Sequence, residues 1–173
     1  MITKTDVQFA SSVEQGVWRI DPTRSQIGFR TPMLWGLNSV EGRFERYEGA
    51  LDLASEPAIL LTIEAESIAT GNRRRDEHLR SDTFFGVETH PHVAFVSERV
   101  ELEDERLRVG GRLHAAGGSV PLEIEARLTQ VGDELRITAN LELDQRLLGM
   151  TYSPLGTVGA PTTLFVDGRL VRD

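Results

Sequence analysis

AILLTIEAES, residues 58–67, puts Ile59, Leu61, Ile63 and Ala65 on one side of an extended chain and Leu60, Thr62, Glu64 and Glu66 on the other. That period of two predicts a half-buried antiparallel strand, and the same alternation recurs outward in both directions. Towards the amino terminus, VEGRFE (40–45) sets Val40, Gly42 and Phe44 against Glu41, Arg43 and Glu45, and ALDL (50–53) keeps Leu51 and Leu53 inward. SQIGFRT (25–31) places Ile27 beside Phe29 before Pro32 ends the run, and Trp18 and Ile20 share a face ahead of the Asp21-Pro22 turn. Towards the carboxyl terminus come HVAFVSERVEL (92–102), RLRVGGRLHA (106–115), SVPLEIEARL (119–128), ELRITANLEL (134–143) and TTLFVDGRLV (162–171). Gly110-Gly111 is expected to bend or bulge its strand, and Gly132-Asp133 is a hairpin turn. QRLLGMTYSPLGTVGAP (145–161) is irregular. Eight or nine strands with no βαβ spacing predict an all-β antiparallel barrel or sandwich. Residues 1–16 are polar and aperiodic, a flexible lead to one domain over 17–173.

Composition agrees with that outline. At 173 residues and 39% hydrophobic content, one domain can bury a substantial core. A formal charge of -8 opposes general affinity for nucleic acid or an anionic membrane surface. The chain has no cysteine, so disulfides, thiolate nucleophiles and cysteine-based metal centres are excluded. Its first residues, MITKTDVQFASSVEQG, carry no apolar signal core, and no run approaches the roughly 20 apolar residues of a spanning helix. A cytoplasmic location without an integral membrane segment is therefore expected. No GxSxG, P-loop, dinucleotide fingerprint or HExxH occurs.

One segment breaks the alternation: RRRDEHLRSDTFFGVETHPHVAFVS, residues 73–97. Its first part is helix-compatible, with Asn72 as the cap and Asp76 and Arg80 at i, i+4. A solvated turn explains the charges; a lid over a barrel mouth would turn Leu79, Phe84 and Phe85 inward as an apolar gate. His90 and His92 would share a strand face and could meet His78 or Glu88 at a metal, but local spacing places only two ligands, so no metal or cofactor is assigned. Trp35, between Leu34 and Gly36 in the bend after Pro32, is a candidate for the mouth, whereas Trp18 reads as a core or rim aromatic.

WRIDPTRSQIGF at Trp18, VEGRFERYEGALDL at Val40, TGNRRRDEHLRSDTFFGVETHPHVAFVS at Thr70, LEIEARL at Leu122 and LELDQRLLGM at Leu141 resemble, in order and spacing, the YceI-like family. The resemblance implies an extended lipocalin-like eight-stranded antiparallel β-barrel with a short helix near one mouth. It implies a long apolar interior that binds a polyisoprenoid or similar lipid, with no established catalytic set, and it admits a homodimer. Many relatives are exported to the periplasm. Two departures stand out: Gln145 to Gly149 replaces an Arg-x-Asp-Phe-Gly type motif, and His90 and His92 occupy positions where an aromatic and a small polar residue are usual.

An eight-stranded barrel is wide enough either to be filled by side chains or to hold one slender ligand. The inward positions mix bulky residues with Gly28, Gly42, Ala65, Gly111, Ala115, Ala126 and Ala139, which would leave the lumen partly open. With the resemblance, the expected ligand-binding set is Phe29, Trp35, Val40, Phe44, Ile59, Leu61, Ile63, Leu79, Phe84, Phe85 and Phe95. The expected function is a soluble carrier for an isoprenoid, quinone or other long-chain lipid. Two alternatives stand beside it: an enzyme acting on a lipid-like substrate through His78, His90 or His92, and a packed barrel mediating protein association.

Overall fold

The structure, a computed structural model, describes residues 13–54 and 56–173. Alternation is realised as strands β1 (Val17–Ile20), β2 (Gln26–Met33), β3 (Asn38–Phe44), β4 (Tyr47–Asp52), β5 (Ala58–Glu64) and β6 (Ile68–Ala69). After the helix α1 (Arg73–Arg80) follow β7 (His92–Glu103), β8 (Arg106–Ala115), β9 (Gly118–Val131), β10 (Glu134–Leu143) and β11 (Thr162–Arg172).

These segments occupy eight lanes of a closed ring. β1 and β2 both run antiparallel to β11, on Leu170–Arg172 and Thr163–Asp167, and so form one lane broken at Asp21 to Ser25. β3 and β4 pair with β2 and β1 as the second lane; β6 and β5 pair with those as the third. β7 to β11 are single strands; β7 runs antiparallel to β5, each later strand is antiparallel to the one before, and β11 closes the ring on β1. The fold is therefore an eight-stranded antiparallel barrel with one helix, and closure leaves no sheet edge of the kind a sandwich exposes.

Side-chain hydroxyls repair the broken lanes. Ser67 Oγ accepts the N–H groups of Glu45 at 3.1 Å and Arg46 at 3.0 Å and donates to the Glu64 carbonyl at 2.7 Å, so one side chain satisfies two interruptions. Ser25 Oγ accepts the Arg169 N–H at 2.9 Å in the same way. The expected irregularity at Gly110-Gly111 lies across the ladder: register shifts between Ser97 and Arg99 of β7, leaving Glu98 as the extra residue opposite the glycine pair. Pro32, expected to end its strand, lies inside β2 opposite Ser39, where its carbonyl accepts the Gly159 N–H at 2.7 Å.

One end of the barrel is solid. Trp18, Leu107, Leu128 and Leu135 are fully buried there, with Leu51 and Leu170 beside them. Each such side chain contributes about 1.5–3 kcal/mol by leaving water. The Trp18 indole N–H donates to the Glu14 carbonyl at 3.1 Å, and the Arg172 guanidinium lies 5.4 Å over its ring. Residues 13–16 cross this base: the Gly16 carbonyl accepts the Leu53 N–H, while the Glu14 N–H reaches Gln130 on the opposite side of the ring. Val13 is buried in the core, so packing includes residues at least four ahead of the expected start at Val17; residues 1–12 of the expected lead lie outside the described residues.

The other end carries the long connections and α1. Asn72 Oδ1 accepts the Arg75 N–H at 3.0 Å, the expected N-cap. The expected Asp76–Arg80 pair does not form. Asp76 Oδ1 accepts from Thr70, and Arg80 donates to the carbonyls of Glu66 and Ile68, which pins α1 to β6. No described helix is long and apolar enough to cross a membrane.

Candidate ligand cavity

Between the solid base and the helix end lies a cavity of about 400 Å³, a volume ordinary for a small-molecule site. Its walls come from the inward set of nearly every strand. Along β11 the lining runs from Thr162 to Leu170, about 26 Å of strand at 3.3 Å per residue, so the space is long and narrow. Ala115, Ala126 and Ala139 line it, and Ala126 and Ala139 face each other across β9 and β10, where larger side chains would meet.

Of the residues expected around a ligand, Phe29, Val40, Phe44, Ile59, Leu61, Ile63, Leu79, Phe84, Phe85 and Phe95 all line the cavity. Phe29, Phe44 and Phe85 form a chain of rings, with centroids 6.1 and 5.8 Å apart, the second contact edge-to-face. Trp35 is elsewhere. Leu34, Trp35 and Gly36 take φ of 50°, 56° and 88°, and this left-handed turn swings the indole outward to 70% exposure beside Gly156.

The inward glycines also depart from expectation. A Cβ at Gly42 would stand 2.5 Å from the Phe29 ring, and one at Gly111 would stand 2.7 Å from the Phe95 ring. These glycines admit aromatic rings and do not themselves open the lumen. Gly28 does line the cavity, through a backbone that pairs with Arg43 and Phe165 and lies under the Phe165 ring. Ala65 is buried but outside the lining.

Polar groups gather at the helix end. Gln145 and Thr162 are buried; Thr162 Oγ1 donates to Gln145 Oε1 at 3.0 Å, Thr31 and Thr162 share a hydroxyl contact at 2.9 Å, and Gln145 Nε2 donates to the Gly159 carbonyl. Nearby, His78, Phe84 and Tyr152 pack edge-to-face at 4.9 to 5.7 Å. Arg75, His78 and Leu79 all line the cavity from the i, i+3, i+4 face of α1. That spacing was legible in the sequence, yet Arg75 and Tyr152 escaped the sequence reading and His78 entered it only as an acid-base or metal candidate. His90 instead packs over Gly117 and His92 is exposed, and no cluster of three metal-ligating side chains forms among the described residues.

The fold has solved counterparts. BcnA of Burkholderia cenocepacia superimposes with a TM-score of 0.79 at 16% identity, covering 87% of this chain and 98% of its own. A polyisoprenoid binding domain of Saccharophagus degradans gives 0.76 at 14% identity, covering 92% of this chain and all of its own. Similarity in sequence extends to protein YceI of Salmonella arizonae, 31% identical over 112 residues, which is 62% of this chain and 58% of that protein's length. Residues 18–169, from the buried Trp18 of the base into β11, match the YceI-like domain, and the chain belongs to that family.

Proposed function

We propose that the cavity holds a single long-chain lipid, an isoprenoid, quinone or fatty-acyl chain, and that the protein binds or carries it without turning it over. The observation that carries this reading is the long apolar space itself, with a buried base beneath it and α1 in its wall at the other end. Ten buried methylenes at about 0.8 kcal/mol each would contribute roughly 8 kcal/mol before chain-ordering costs, enough for useful affinity without a covalent or metal anchor. The fold relative from Saccharophagus degradans, a polyisoprenoid binding domain, supports the same ligand class.

The titratable side chains of the lining are Arg75, His78 and Tyr152, and no hydrogen bond joins any two of them. A binding role suits this wall better than acid-base chemistry, which needs a base within reach of a partner group. Titration of delipidated protein with geranylgeraniol, followed by calorimetry, tests the reading. Saturable binding with a negative heat-capacity change is expected, and absence of binding to this and to hexadecanol would overturn it.

A further inference from the structure

We infer that the outer rim at the helix end is a docking surface for a lipid bilayer, which two apolar turns enter. Docking needs only this surface, whatever the cavity holds. The turns are Leu34–Gly36, between β2 and β3, and Pro154–Gly156, between β10 and β11. They lie side by side: the Leu34 N–H donates to the Thr157 carbonyl at 2.8 Å, Met33 bridges Val158, and Trp35 lies against Gly156. Trp35 is 70% exposed, Leu37 86% and Leu155 90%, with Leu34 and Tyr152 half-exposed beside them. Leu34, Trp35 and Leu155 are three of the five non-glycine residues with left-handed φ among the described residues. Strain of that kind persists only where surrounding contacts impose it, and here it turns bulky apolar side chains outward.

Charge, hydrogen bonding and size all favour a bilayer over a protein partner. Residues 31–40 and 147–166 contain no Asp, Glu, Lys, Arg or His, in a chain that is 27% charged with a net charge of -8, so the acid that opposes a membrane is missing from both segments. α1 adjoins them through His78 and Tyr152 and carries four arginines against Asp76 and Glu77. β6 runs antiparallel to β3, Ile68 opposite Phe44 and Ala69 opposite Arg43, and so heads towards the Asn38 end. α1 then runs back, since Arg80 reaches the Glu66 and Ile68 carbonyls. Its rim-ward turn therefore holds Arg73 and Arg74, both exposed, which complement the phosphates of a bilayer surface. The turns also close their own backbone bonds, as entry into an apolar phase requires: Leu37 N–H to the Leu34 carbonyl at 3.1 Å, Thr157 N–H to that of Pro154 at 3.0 Å, and Val158 N–H to Ser153 Oγ at 3.0 Å. An indole between them suits the membrane-water boundary. A stable protein interface takes roughly 20–30 residues a side, far more than two three-residue tips present.

The test uses unilamellar phosphatidylcholine vesicles, with and without brominated acyl chains, on the full chain and two variants. Leu37→Asn/Leu155→Asn removes the tips; both positions lie outside the cavity wall, and asparagine tolerates the left-handed φ of 52° at residue 155. Val131→Asn removes an exposed apolar side chain from the β9–β10 turn at the opposite end and controls for surface apolarity. The chain has two tryptophans and Trp18 is fully buried in the base, so bromine quenching reports Trp35. Wild type and Val131→Asn are expected to float with the vesicles and to lose Trp35 emission to brominated chains, while the double variant partitions at least about tenfold less. Geranylgeraniol affinity, measured alongside, reports the cavity separately and should be the same in wild type and double variant. No partitioning of the wild type, partitioning unchanged in the double variant, or binding without bromine quenching would overturn docking by this rim and leave the cavity reading intact. A wild-type dimer that the double variant dissolves would overturn it too, by assigning the rim to a second copy.

Discussion

The two halves of this barrel are built from the same alternating strands, yet one is solid and the other hollow. At the base the inward positions are Trp18, Leu107, Leu128 and Leu135, with Leu51 and Leu170 between them and the cavity as its floor, and residues 13–16 cross over this end. One inward step further, Ala126 follows Leu128 on β9 and Ala139 lies across from it on β10, and space opens. Alternation sets which face a residue takes; side-chain volume on that face decides whether the lumen is core or cavity.

The sharpest way to break this comparison is to truncate one leucine in each half. Leu135→Ala should destabilise lipid-free protein by about 3–4 kcal/mol, because it opens a void in a filled layer. Leu61→Ala enlarges a space that already exists and should cost only the transfer term, about 1–2 kcal/mol. Equal costs in denaturant unfolding would mean that the upper half is packed as tightly as the base.

Smaller effects sharpen the boundary. Thr162→Val removes the hydroxyl that joins Gln145 to Thr31 and should cost about 1–2 kcal/mol, since Gln145 Oε1 is left buried without that donor. Tyr47→Phe should be neutral or stabilising by up to about 1 kcal/mol. The Tyr47 hydroxyl is buried with no hydrogen-bond partner among the described residues, and burial raises its pKa above the ordinary value. A loss of stability on this substitution would reveal a partner for the hydroxyl.

Acid provides the mildest test. Asp21 is held below the usual carboxylate range by hydrogen bonds from Thr23 and Arg24, and Glu134 by its hydrogen bonds from Arg24. Folded pKa values below the unfolded ones mean that the Asp21–Arg24–Glu134 clamp contributes fully above about pH 4–5 and is lost as pH falls through the lowered values. All three groups are solvent-exposed, so the effect is small. Arg24→Gln should flatten that part of the stability-pH curve, and an unchanged curve would count against the clamp.

Much of this was legible in the residues. Strands such as β5 and β10 alternate without interruption, so their inward faces, including Ile59, Leu61 and Ile63, follow from period alone. Ring closure was not legible, because it depends on β1 meeting β11 across the length of the chain. The broken lanes were hidden for a related reason: a serine such as Ser67 looks like any surface serine until the N–H groups of Glu45 and Arg46 are brought to it. Trp35 misled because an aromatic beside a bend is as apolar outside a mouth as within it. Its direction is set by left-handed φ angles at non-glycine residues, for which Leu34 and Trp35 give no local signal. Arg75 was missed because a basic run reads as a solvated face, and only Thr70 and the cavity distinguish it from Arg73 and Arg74.

The hollow half is tested most directly by filling it. Wild-type protein and the Ala126→Leu/Ala139→Leu double variant can be purified alike, checked for unchanged circular dichroism, extracted with organic solvent and analysed by mass spectrometry. The expected result is about one long-chain lipid per wild-type molecule and at least roughly tenfold less in the filled barrel. Equal lipid in both proteins, or none in the wild type together with no uptake of geranylgeraniol, would contradict a barrel whose upper half exists to hold a ligand.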